Sequence, residues 1–148
     1  MRKSTNQIIV GAYVALKDIK INALENKDKF ALLKIFREFR PIAEKYNKDI
    51  EEAQIKLKPD NFEQMQEKAK QWEKDKTSLS PEEVMGINKY FREYGESIDK
   101  YVSSLNEEEV DIQSEPLSEE VLNKLLEIAT DLTLVGMLNI EDALGSVK

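Results

Sequence analysis

The sequence contains no cysteine and no histidine. Without cysteine, disulfides and thiolate chemistry are excluded. Without histidine, the commonest general base and the commonest transition-metal ligand are gone, so any active site would have to draw on Asp, Glu, Lys, Tyr or Ser. Glycine and proline are scarce, at five and four residues among 148, which disfavours a sheet protein with many turns. There is no Gly-rich phosphate loop. Long hydrophobic runs are missing too. The mostly apolar run Ile8 to Leu16 follows a basic start, as in a signal peptide, but it is too short to span a bilayer. Lys17-Asp18 closes it with no small-x-small cleavage pattern, so it reads as an internal amphipathic helix.

What remains is charge and aliphatic bulk. Charged residues make up 34% and hydrophobic residues 41%, a balance suited to long solvated helices around one core. The charge is uneven along the chain. Residues 1–58 carry a net +5, residues 59–105 a net −3, and residues 106–148 a net −9. A basic beginning and an acidic end can attract each other within one molecule or between neighbouring copies.

Local signals place the elements. Ser4 and Gln7 form a capping-box pattern, predicting a first helix with Ile8, Ile9, Ala12, Tyr13, Leu16 and Ile19 at helical spacing. A second helix is expected from about Lys27 to Leu57, with Leu32, Ile35, Phe36, Phe39, Ile42, Ala43, Tyr46, Ile50, Ala53 and Leu57 on one face. Pro41 should kink it without ending it. Its length exceeds the width of a compact domain of this size, which suggests a projecting hairpin. Lys58-Pro59-Asp60-Asn61 breaks the chain before a short charged helix marked by Phe62, Met65, Ala69 and Trp72. Ser80-Pro81-Glu82-Glu83 then starts a helix firmly, continuing to about Leu105 through Val84, Ile87, Phe91, Tyr94, Ile98 and Val102. This helix should pack antiparallel on the second.

Val110 and Ile112 alternate with Asp111 and Gln113, predicting a short strand that Pro116 ends. Ser118 caps a following helix whose first turn holds Glu119 and Glu120. In "TDLTLVGMLNI", Leu132, Val135 and Leu138 fit a helix, while Leu132, Leu134 and Gly136 fit a strand; the helix is preferred. The expected fold is therefore mainly α. It is a single domain, 1–148, comprising an elongated antiparallel helical hairpin or bundle over 1–105 and an acidic strand–helix segment over 106–148, with a short β element near 109–113.

The order of features in "STNQIIVGAYVAL", "FRPIAEKYNKDIEEAQIKL", "EEEVDI" and "PLSEEVL" resembles a family of small, uncharacterised helical proteins encoded near head and tail genes of tailed bacteriophages. No catalytic signature is among these motifs and no functional residue carries over. The resemblance implies a phage setting: a virion part, or a protein of virion assembly, found in the host cytoplasm during assembly or in the virion.

Four features bear on function. The acidic stretch Glu107, Glu108, Glu109 and Asp111 lacks the glycine of a helix–loop–helix calcium site, and Val110 and Ile112 interrupt it. Charge protecting an edge strand accounts for it best, with acidic docking as the sharper alternative. Lys34, Arg37, Lys45 and Lys48 form a basic stripe on the second helix. Glu44 and Glu52 interrupt it, with Glu44 and Lys48 a favourable pair four residues apart. In an acidic chain this reads as a solvated face ahead of a nucleic-acid site. The group Tyr90, Phe91, Tyr94 and Tyr101 fits helix packing better than a stacking platform. Phe30 and Leu33 project roughly 120–180° from the main stripe of the second helix at 100° per residue. Either the first helix covers them, which is the preferred expectation, or another chain does. The residues proposed to meet a partner are Phe30, Leu33, Lys34, Arg37, Glu107, Glu108, Glu109 and Asp111. No cofactor, metal or catalytic residue is expected. The expected function is non-enzymatic contact with other phage structural proteins or copies of itself, as structural component or assembly chaperone, without membrane or nucleic acid. A small regulatory or nucleic-acid-associated helical protein is the competing class.

Overall fold

The structure, a computed structural model, describes residues 2–145. It is mainly α, with six helices and one two-stranded antiparallel sheet. In chain order these are β1 (Arg2–Thr5), α1 (Asn6–Lys17), α2 (Asn26–Lys56), α3 (Phe62–Lys74), α4 (Pro81–Glu107), β2 (Glu109–Ile112), α5 (Glu119–Ile128) and α6 (Leu134–Leu144). The chain divides into two compact units. One is built from the chain up to Lys48 and from Ser104 onward, the other from Asp49–Ser103. Helices α2 and α4 contribute residues to both.

The first unit holds the core. Phe39, Ile9, Ile35, Ile112, Leu125, Ile140 and Leu144 are its largest fully buried side chains. They come from both ends of the chain, so closing this unit brings the basic beginning and the acidic end together. Helix α1 packs along α6, and the two approach closely at Gly11. A Cβ there would lie 2.3 Å from the Asn139 side-chain nitrogen. A larger residue there would require the Asn139 amide, the far end of a side chain, to move aside.

The first helix does not start as its pattern suggests. Ser4 belongs to β1, where it pairs with Val110, and Arg2, Lys3 and Thr5 pair with Ile112, Asp111 and Glu109. The cap is Thr5, whose hydroxyl accepts from the Ile8 N–H at 3.4 Å. Buried Asn6 ties α1 to the end of α4. Its side chain donates to the Leu105 carbonyl at 2.9 Å and its backbone N–H to the Glu108 carbonyl at 3.0 Å. Carbonyls at a helix end have no partner within the helix, so the bond to Leu105 helps close off α4 while the bond to Glu108 holds the residue that follows it.

The other starts match their local signals. Ser80 and Glu83 bond each other reciprocally at the head of α4, both at 3.2 Å. Ser118 accepts from Val121 at the head of α5. Residues 130–140 resolve as a Thr133-capped entry into α6. Helix α2 runs through Pro41 and ends at Lys56. Leu57 therefore lies past the helix and is exposed, not part of the buried face. Glu44 pairs with Arg40 at 3.1 Å in place of Lys48.

The second unit is thinly packed. Ala53 and Ile87 are its buried hydrophobic residues, and α3 buries none completely. Its interior is aromatic. Phe62 meets Phe91 edge-on at 5.7 Å between centroids and Tyr94 at 5.2 Å. Tyr94 donates to the Gln54 carbonyl at 2.6 Å, and Tyr90 to the Asn61 side-chain oxygen at 3.0 Å. The tyrosines thus work as packing groups with hydrogen-bonding tips.

Candidate partner-binding site

Helix α2 buries Leu32, Ile35 and Phe39 in the first unit's core. Residues on its opposite side cannot reach that core, because 100° per residue turns them outward. Phe30 is 69% exposed and Leu33 is 39% exposed. The preferred expectation that the first helix covers them does not hold. The α1 ring facing this part of α2 is Tyr13, and it stacks on Phe36 at 4.7 Å instead.

Phe30, Leu33, Lys34 and Arg37 line one groove of about 500 Å³ with Lys27 and Ala31. Its far wall is the chain Ser114-Glu115-Pro116-Leu117. That wall carries little regular structure and is held by side chains. The Glu38 carboxylate accepts from the Gln113 N–H at 2.6 Å, the Ser114 N–H at 3.1 Å and the Ser114 hydroxyl at 2.7 Å. Arg2 donates to the carbonyls of Ser114 at 3.3 Å, Ala143 at 2.8 Å and Gly145 at 3.2 Å. Leu117 N–H reaches the Leu144 carbonyl at 2.8 Å. The groove is thus preformed by α2 on one side and by a pinned connector on the other.

Burial pushes the Glu38 carboxyl up. The bonds from Ser114 and Gln113 and the nearby Arg2 charge outweigh it, leaving Glu38 below its ordinary value. Burial lowers Arg2 from the usual guanidinium value, against the opposing pull of Glu38 and Glu115. It stays charged at neutral pH because a guanidinium starts so high. At the groove itself the balance is basic: Lys27, Lys34 and Arg37 face Glu115. Lys27 is engaged by Glu25 at 3.8 Å. Lys34 and Arg37 make no ion pair among the described residues.

The acidic candidates lie elsewhere. Glu107 ends α4 and Glu108 follows it, both exposed, with Glu108 engaged through its backbone carbonyl. Glu109 and Asp111 are on the exposed face of β2, while Ile112 on the other face is buried. Asp111 sits across from Lys3 in the sheet register, an arrangement of opposite charges that supports strand pairing. Glu109 borders a separate cavity of about 570 Å³ with Lys3, Glu119, Glu141 and Asp142. Among the described residues, no group of three or more acidic side chains is placed to hold a metal ion. No helix among them is long and apolar enough to cross a membrane.

The eight candidates therefore occupy two places, four in the α2 groove and four around β2. The sequence reading missed the wall at residues 114–117 and its anchors Glu38 and Arg2. It also missed the exposure of α6, where Leu134, Val135 and Leu138 are 79%, 66% and 56% exposed. Val135 and Leu138 had marked the helical face, yet α6 buries Ile140, Ala143 and Leu144. No family model, curated protein or solved structure matches the chain.

Proposed function

We propose that this is a non-enzymatic protein that works through protein–protein contacts, with the α2 groove as its docking face. The observation that carries the reading is Phe30, a large apolar side chain 69% exposed beside two cations, Lys34 and Arg37, that make no ion pair among the described residues. Contiguous exposed apolar groups rimmed by polar residues mark surfaces that another molecule covers, and Phe30 shares its groove with exposed Leu33. A nucleic-acid site is less well supported, because the groove mixes apolar groups and Glu115 with its cations, and the chain carries a net −7. The resemblance to helical proteins of tailed phages supplies the setting: head or tail assembly, as a virion part or an assembly chaperone.

The test uses a phage whose genome encodes the chain. Its virions and assembly intermediates are purified and analysed by mass spectrometry, with the native gene and with Phe30→Ser and Leu33→Ser together. The chain is expected in virions or in intermediates, with the double variant yielding incomplete particles. Normal yields of infectious phage after deletion of the gene, with the chain in neither fraction, would contradict the reading.

A further inference from the structure

The α2 groove is basic around an apolar centre. The exposed face of α6 has the converse character. Leu134, Val135 and Leu138 make an apolar ridge. Asp131 lies three residues before Leu134, and Glu141 and Asp142 lie three and four residues after Leu138. All three acids are exposed; helical spacing sets Glu141 and Asp142 at the C-terminal end of the ridge, and Asp131 lies in the turn that precedes α6. Helix α6 carries no cation. An apolar ridge with an acidic C-terminal end thus matches an apolar groove with a basic rim, in shape class and in sign. None of the residues bordering the groove belongs to the ridge, so one molecule presents both surfaces.

We infer that the occupant of the α2 groove is the α6 ridge of a second copy of this chain. The inference rests on the proposed reading of the groove as a docking face and names its partner. Phe30 and Leu33 of one copy meet Leu134 and Leu138 of the next. Lys34 and Arg37 meet Glu141 and Asp142. The two surfaces differ, so the contact is head-to-tail: each added copy leaves one groove and one ridge free, and association propagates as a ring or an open chain.

Sedimentation velocity of the full chain tests this, over a range of concentrations in low and high salt. The wild type is expected to self-associate, more strongly in low salt because the rim charges are exposed. A groove variant, Phe30→Ser with Leu33→Ser, and a ridge variant, Leu134→Ser with Leu138→Ser, should each lose association by on the order of tenfold or more. All four side chains are exposed, so circular dichroism should show both variants folded. Mixed together, the two should form a heterodimer and stop there, since one intact groove meets one intact ridge. A charge variant, Lys34→Glu with Arg37→Glu, should lose association and regain it when mixed with Glu141→Lys, Asp142→Lys. A wild type that stays monomeric at every concentration and salt level overturns the inference. So does association that the groove variant abolishes and the ridge variant leaves intact. If the wild type is monomeric while the groove variant still blocks particle formation, the docking face stands and its partner is a different protein.

Discussion

The two units of this chain solve the same problem with different means. The first draws side chains from both ends of the sequence into one apolar core in which Phe39, Ile9, Leu125, Ile140 and Leu144 are fully buried. The second buries little completely and leans on Phe62 against Phe91 and Tyr94. Buried apolar area is the main favourable term in folding, so the first unit should hold the global stability and the second should open first. The difference also bears on where the proposed docking surfaces sit. With that buried core behind them, α2 and α6 still present Phe30, Leu33, Leu134, Val135 and Leu138 outward.

Replacing a core side chain of the first unit gives the largest effect. Phe39→Ala should cost roughly 3–5 kcal/mol, read by chemical denaturation. In the second unit, Phe62→Ala should cost roughly 1–2 kcal/mol, because Phe62 is only half-buried and its loss is mainly of ring contacts. Equal costs at the two sites would remove the distinction between the units.

The contrast was partly legible in the sequence. Ser80-Pro81-Glu82-Glu83 and Ser118 were readable because a cap joins atoms three residues apart. The seven-residue stripe from Val84 to Leu105 was readable for a similar reason: period alone picks the inward face, and each of its residues is buried or half-buried. Strand β1 was not readable. Four polar and basic residues become a strand only because residues 109–112 pair with them, and the same letters mimic a capping box. Phe30 and Leu33 could be placed off the main stripe by angle. Whether α1 covered them depended on packing that no local rule describes. Arg2 left no signal, since its partners are carbonyls more than a hundred positions away. On α6, period found a face, but which neighbour covers it depended on α1 approaching at Gly11 from the other side.

A smaller effect belongs to the anchor of the groove wall. Glu38 has a folded pKa below its unfolded value, so its contribution is fully present above the unfolded value near 4.5 and is lost as pH falls through the folded one. Glu38→Gln should therefore lower stability by about 1 kcal/mol at neutral pH. The gap between variant and wild type should narrow below pH 4.5. Melting curves from pH 7 down to pH 3 check this. A gap that widens on acidification would show that the carboxylate does not hold the wall.

The smallest effect on stability should come from the groove itself. Phe30→Ser should change unfolding free energy by no more than about 0.5 kcal/mol, since the ring contributes little to the core. A loss of several kcal/mol would return Phe30 to the interior of the first unit and undo the comparison between its inward and outward faces.

The claim that α2 and α6 present matched docking faces is tested most directly by hydrogen exchange with mass spectrometry on the unmodified chain, dilute and concentrated. The account predicts that amides in 27–37 and in 131–142 exchange more slowly at high concentration, in parallel, while those in 59–80 keep the same rates. Concentration-independent exchange in both segments, or slowing in one of them alone, would contradict it.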